Sequence, residues 1–275
     1  MQPAQRVTEA SRLSEEARER FVRCESAPPL LSDWRETLMI HYEVAPSALR
    51  QDVPFELDLF EGRAFVSLVA FTMSGLRTRR WPRLGRRLFH PIGTHTFLNV
   101  RTYVRAGSET GIYFLAEFVP NRLSALLGPP IYGLPYRFVR TTYRRTASQL
   151  IGVLGDPHAS SADAASLMFQ ATIPEAPELR PAVAGSLCEF LMERYTALTT
   201  WAGVERRFRI WHEAWLQTRV DADVFDDRLL HATGAWTRGA TICSANYSSG
   251  VTNVWMGRPR RLRRGLFDKR REGLS

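Results

Sequence analysis

A chain of 275 residues, 44% hydrophobic and 24% charged, has the make-up of an ordinary globular domain, which excludes a disordered or fibrous protein. No run approaches the ~18 consecutive apolar residues of a membrane span, and the first 23 residues lack a signal peptide's apolar core, so a cytoplasmic location is expected. The net charge of +9 is local: residues 257–275 contribute +6 and residues 77–87 another +6, leaving the remainder at −3, which is not a nucleic-acid fold signature.

Three cysteines, Cys24, Cys188 and Cys243, are far apart and form no CxxC pair. Neither a disulfide framework nor a zinc knuckle is expected. Lysine occurs once, at Lys269 in the basic tail.

Residues 8–22 place Ala10, Leu13, Ala17 and Phe21 at helical spacing, and Pro28-Pro29 ends that helix. From Thr37 the period becomes two, with Leu38, Ile40, Tyr42 and Val44 on one face and Met39, His41 and Glu43 on the other. Residues 56–60 and 63–74 predict a hairpin about Glu61-Gly62, and the arginine-rich stretch 77–91 reads as an exposed loop. A second hairpin is expected from 96–105 and 112–118. Asn121 caps a helix over 122–127 that Gly128-Pro129-Pro130 stops. Strands are expected at 137–145, 147–154 and 167–173. Ser186 and Glu189 form a capping box for a helix over 187–195. Strands resume at 206–220, 229–236 and 242–255. Strands dominate without βαβ alternation, which predicts an α+β, mainly antiparallel domain, a barrel or a sandwich, with a few covering helices.

Six segments occur in order: Asp33-Trp34, Leu57-Asp-Leu-Phe-Glu-Gly62, Leu98-Asn-Val-Arg-Thr-Tyr-Val104, Gly111-Ile-Tyr-Phe114, Tyr132-Gly-Leu-Pro-Tyr136 and Glu189-Phe-Leu-Met-Glu-Arg-Tyr195. Together they resemble the YqjF-like family, a bacterial domain of unknown function distantly related to acetoacetate decarboxylase. The likeness runs from about Trp34 to about Trp255. It implies a cone-shaped antiparallel β-barrel around a small pocket. It also divides the chain into an N-terminal helical extension (1–30), the barrel domain (31–256) and a basic, disordered tail (257–275).

In the decarboxylase a Gly-aromatic-Pro turn precedes two lysines, one of which forms an imine with substrate. Here the matching turn is Gly133-Leu134-Pro135, and Tyr136-Arg137 stands in place of the lysine pair. An imine needs an amine that can lose its proton, and an arginine cannot supply one. Lysine-dependent decarboxylation is therefore excluded. YqjF-like sequences also carry a glutamate where this chain has Phe97, which removes an acid from that position.

Asn99, Arg101 and Tyr103 share one face of their strand at spacing i, i+2, i+4. That face either lines the pocket, with Arg101 gripping a carboxylate, or points to solvent. Tyr136 is a candidate proton donor and Arg137 a candidate anion holder; the alternative is a packed aromatic beside a surface arginine. Glu189 and Glu193 read as an ion-paired scaffold on the second helix. Trp211, Glu213 and Trp215 alternate with His212, as either a ligand cradle or core packing. His90 and His95 lack an acidic or cysteine partner, so no metal is expected, and no cofactor is implied.

Two function classes follow. The first holds a small anionic or carbonyl-bearing molecule through Asn99, Arg101, Tyr103, Tyr136 and Arg137. The second is an interaction protein with a vestigial pocket, whose arginine-rich loop and tail contact nucleic acid or anionic lipid.

Overall fold

The computed structural model describes residues 3–25, 28–157 and 165–262. In chain order, α1 (Pro3–Glu25) leads to β1 (Leu30–Val44), α2 (Pro46–Leu49), β2 (Glu56–Leu57) and β3 (Ala64–Thr78). Next come α3 (Pro82–Leu88), a 3-10 turn (His90–Ile92), β4 (His95–Ala106), β5 (Glu109–Val119), α4 (Arg122–Tyr132) and β6 (Tyr136–Phe138). The middle of the chain forms β7 (Thr141–Arg145), β8 (Gln149–Leu154), β9 (Leu167–Thr172), β10 (Arg180–Pro181) and α5 (Leu187–Met192). β11 (Thr196–Trp201), β12 (Val204–Trp211), β13 (Leu216–Arg219), β14 (Asp221–Asp226) and α6 (Arg228–His231) follow. A second 3-10 turn (Ala235–Thr237), β15 (Thr241–Met256) and β16 (Arg260–Arg261) complete the described chain.

The larger sheet runs β15-β1-β3-β4-β5-β11-β12 along its spine, and β12 pairs again with β15 through Ile210↔Met256 and Trp211↔Trp255. The hydrogen-bonded path thus returns on itself. Every spine pairing is antiparallel except β5 with β11. A second antiparallel sheet, β14-β9-β8-β7, lies apart. The fold is α+β and mostly antiparallel.

Both faces of the spine are buried, which is why its strands are so apolar. The outer face (Leu38, Ile40, Val66, Leu68, Val100) shares one core with Leu150 and Phe169 of the second sheet. The inner face (Met39, Phe65, Val69, Phe97, Phe114) shares another with Leu191 of α5 and Phe208 of β12. Helix α1 lies against β12 and β15: Phe21 is fully buried edge-on to Trp255, and the Trp211 indole donates to the Ser14 carbonyl.

Several sequence expectations are corrected. The stretch 77–91 contains a helix, α3, opened by Pro82, whose missing N–H costs nothing at a first turn. The prolines do not stop α4, which runs to Tyr132 and ends at Gly133, φ 73°, whose N–H reaches the Pro129 carbonyl. Residues 229–236 form α6 and a 3-10 turn, because a short apolar run fits either period. The expected strand 206–220 breaks after Trp211, and 137–145 divides into β6 of the large sheet and β7 of the small one. Only the Phe60–Arg63 turn survives of the first hairpin, since β2 pairs with β4. At the tail, Arg260 and Arg261 pair with β12, while Lys269 lies outside the described residues.

Candidate functional site

The inner face encloses a cavity of about 70 Å³. Its walls are mostly aromatic and aliphatic, from Met39, Phe71, Phe114, Ile210 and Trp215 among others, yet Asn99, Arg101, Glu117, Arg194 and His212 also line it. One row of pairings explains the cluster: Asn99 sits across from Glu117, and Glu117 across from Tyr136. Three neighbouring strands therefore deliver polar groups to one level.

Glu117 arrives there through a β-bulge. Val100 pairs with Ala116, but Arg101 pairs with Phe114, so Leu115 is the extra residue. Ile112 and Phe114 face inward before the bulge; Leu115 and Ala116 both join the outer core. The alternation then restarts one residue out of phase, and Glu117 turns inward. Bulges re-aim side chains in this way. A strict period of two would have put Glu117 outside.

The site is short of partners. Glu117 is 3% exposed and its Oε2 has no hydrogen-bond partner. Burial raises its pKa well above the usual carboxylate value, which favours the protonated, hydrogen-bond-donating form. Asn99 Oδ1 and Arg101 Nε likewise lack partners. Arg101, 6% exposed, spends Nη2 on the Leu191 carbonyl at 3.0 Å and the Met39 sulfur at 3.8 Å. Among the described residues no carboxylate pairs with it. A buried charge that no carboxylate contacts directly is costly, and Arg101 is such a charge, with Glu193 acting on it only at longer range.

The other charged groups are satisfied. Arg194 pairs with Asp58 at 2.8 Å, stacks on Phe190, and gives Nε to the Phe190 carbonyl at 2.6 Å. Asp58 also receives Arg105 at 2.6 Å. Glu193 accepts from the Trp215 backbone N–H and from the Tyr195 hydroxyl, and burial raises its pKa to about 7. His212 gives its Nδ1 proton to the Glu213 carbonyl at 2.7 Å, and burial lowers its pKa to about 4. It is neutral, with Nε2 as an acceptor.

A half-open funnel of about 290 Å³ adjoins the cavity, almost wholly apolar. Met73, Phe97, Leu134, Tyr136, Phe208 and Met256 line both spaces, so these side chains form the wall between them. Tyr136 meets Phe97 edge-on at 5.9 Å, and its hydroxyl pKa is pushed well above the ordinary value by burial and then by Glu117. Gly128 on α4 is what lets the helix rest on that ring: a Cβ there would lie within 2.5 Å of Tyr136 Cε2. Burial lowers the pKa of His95, in the funnel wall, to about 4.

The structure brings Asn99, Arg101 and Tyr136 to the cavity. Tyr103 is buried on the same face but already engaged: its hydroxyl donates to the Leu191 carbonyl at 2.9 Å. It therefore accepts from Ser67 at 2.5 Å, which in turn accepts the His41 Nδ1 proton at 2.7 Å. Arg137 is not at the cavity. It follows Tyr136 on one strand, so it points the opposite way, and its guanidinium donates to the Ala232 carbonyl at 2.9 Å. His212 and Trp215 line the cavity together, while Glu213 is exposed, because the chain leaves β12 at Trp211. Helix α5 is capped by Ser186, accepting from the Glu189 N–H at 3.2 Å. It ends at Met192, leaving Glu193 off the helix. Among the described residues, no group of three or more His, Cys, Asp or Glu is placed to hold a metal. None of the described helices is long and apolar enough to cross a membrane.

Glu117, Arg194 and His212 are the cavity residues that sequence reasoning missed or misplaced. For Glu117 the available signal was a lone charge inside the apolar run Ile112–Val119.

A mostly antiparallel α+β fold around an enclosed cavity defines the class of this protein. Residues 32–252 match the model of the DUF2071 family of uncharacterized conserved proteins, and the chain belongs to that family. The uncharacterized protein YqjF of Bacillus subtilis (strain 168) is 30% identical over 204 residues, 73% of this chain and 80% of that protein. Among solved structures, acetoacetate decarboxylase from Legionella pneumophila aligns at TM-score 0.60 and 15% identity, covering 86% of this chain and 88% of the other. An acetoacetate decarboxylase-like enzyme from Sphingomonas wittichii RW1 aligns at 0.58 and 14%, covering 86% and 94%. The enduracididine biosynthesis enzyme MppR, complexed with pyruvate, aligns at 0.55 and 13%, covering 86% and 91%. At such identities the likeness is one of fold.

Proposed function

We propose that this chain holds a small carboxylate-bearing molecule inside a cone-shaped barrel, without imine chemistry. The observation that carries this reading is Arg101, a buried guanidinium in a cavity wall with no carboxylate partner among the described residues. A ligand carboxylate at Arg101 offsets the buried charge. Asn99 and the protonated Glu117 then serve a second oxygen, such as a carbonyl: Glu117 donates to it and the amide fixes its position. The cavity admits only a polar head; an apolar tail passes Phe97 and Tyr136 into the funnel. Together the two spaces reach the lower end of the roughly 300–1,000 Å³ usual for small-molecule pockets. The pyruvate complex of MppR is consistent with a keto-acid head.

A thermal-shift panel tests this with hexanoate, 2-oxohexanoate and neutral hexanamide. Both acids are expected to raise the melting temperature and the amide is not; equal shifts from all three would show that the charge is not read. Borohydride added with 2-oxohexanoate is expected to leave the protein mass unchanged, since no imine forms. A reduced covalent adduct would contradict the chemistry proposed.

A further inference from the structure

The funnel opens between α4 and the segment 89–92 that follows α3, and among the described residues nothing covers the outer surfaces of these two helices. On α3 and the residue before it, Trp81, Leu84 and Leu88 are 60%, 62% and 71% exposed. On α4, Leu126 and Ile131 are 70% and 52% exposed. The 3-10 turn joins the two sides: its Pro91 carbonyl accepts from Asn121, which also caps α4. Phe89 and Ile92 on one side, with Leu127 and Ile131 on the other, line the funnel itself. Ile131 is thus both exposed and funnel-lining, Leu88 adjoins the funnel-lining Phe89, and Trp81 and Leu84 continue the exposed apolar surface along α3, a collar of the kind at which proteins meet partners or membranes.

The same collar is strongly basic. Of the six arginines in 77–87, Arg77 is buried and paired with Asp33 at 3.2 Å. The other five, Arg79, Arg80, Arg83, Arg86 and Arg87, are exposed, and the stretch holds no acid. Arg80 stacks on Trp81 and Arg79 on Trp255, which fixes where two of these charges sit. Arg122 adds a further cation at the start of α4.

We infer that this collar docks on an anionic lipid bilayer, turning the funnel mouth to the membrane. Tryptophan and leucine enter the interface while arginines engage lipid phosphates, the composition of an interfacial segment. Two copies meeting face to face would set arginine against arginine, because a twofold contact joins a patch to itself. A nucleic acid satisfies the arginines but gives the exposed leucines and Ile131 nothing to bury. An anionic bilayer satisfies both sets. Docked this way, an amphiphilic ligand passes from lipid into an apolar funnel without crossing water.

Co-sedimentation of the full chain with phosphatidylcholine vesicles, with and without phosphatidylserine, tests the inference. Binding is expected only when phosphatidylserine is present, and it should weaken as salt rises. The pair Arg83→Gln/Arg86→Gln is expected to lower partitioning by about tenfold or more, at about a kcal/mol per basic residue near the surface. Leu84→Ser/Leu88→Ser is expected to abolish stable binding. All four residues are exposed, so melting temperature and the hexanoate shift should be retained, which separates a failure of docking from a failure of the cavity. Absence of vesicle binding would overturn the inference. So would binding indifferent to both pairs, preferential binding of an oligonucleotide, or a doubled solution mass that Leu84→Ser/Leu88→Ser abolishes.

Discussion

The two faces of the spine sheet are made from the same strands and are built to opposite ends. On the outer face, Leu38, Ile40, Leu68, Val100 and Phe118 interlock with the second sheet in a core of aliphatic and aromatic side chains. On the inner face the same strands present Asn99, Arg101 and Glu117 to an enclosed space, each with a polar atom left unpaired. One face maximises burial; the other tolerates costs that burial imposes. Departures from local consistency of this kind concentrate at functional sites. The difference teaches that the outer face holds the fold together, while the inner face keeps polar groups that the fold itself leaves unpaired.

Substitutions on the two faces should therefore separate stability from binding. The largest loss of stability is expected at the outer core: Leu68→Ala, 1% exposed in the parent, should cost about 2–5 kcal/mol in a urea titration. The hexanoate shift should survive as long as the protein folds. Gly128→Ala is next. It forces a methyl into the Tyr136 ring, so overpacking of about 1–3 kcal/mol is expected, with ligand binding weakened by a displaced cavity wall. If binding is untouched, Tyr136 is not part of that wall.

Glu117→Gln should act in the opposite direction. The folded state holds the Glu117 proton above the ordinary pKa of 4.5, so stability falls as pH rises past that value toward the raised one. The amide removes this loss: the variant should be the more stable protein near pH 8 and gain nothing below about pH 4. The buried histidines have the reverse sign. Burial depresses the folded pKa values of His41, to about 3, and His212, to about 4, so stability is lost as pH falls below 6.5 in both proteins. A variant no more stable near pH 8 would mean that Glu117 is ionised and paired. The smallest effect is expected at Arg180→Ala, which breaks an exposed pair with Glu178 and should change stability by less than about 0.5 kcal/mol.

Much of this was legible in the sequence where a single period held. β4 has one phase throughout, so Asn99 and Arg101 could be placed together on a face. β5 does not, and Glu117 was hidden by the residue inserted at Leu115, which no alternation pattern reveals. Arg137 was misplaced for a simpler reason: adjacent residues of a strand cannot share a face, and Tyr136 had the stronger claim. The aromatic Phe97 argued against an acid on β4, yet the cavity still holds a carboxyl, Glu117, supplied by the neighbouring strand. The stretch around Pro82 read as a loop because Pro82, Gly85 and Pro91 look like breakers, although proline at a first turn is also a helix start. The apolar run before Trp236 was too short to tell a strand from a helix.

The most direct test of the account is Arg101→Gln, with stability and hexanoate binding measured by titration calorimetry and urea unfolding on the same preparation. A cation retained for a ligand, rather than for the fold, predicts that unliganded stability stays within about 1 kcal/mol while hexanoate affinity falls by about a hundredfold. A variant that unfolds readily yet still binds hexanoate as tightly as the parent would contradict it.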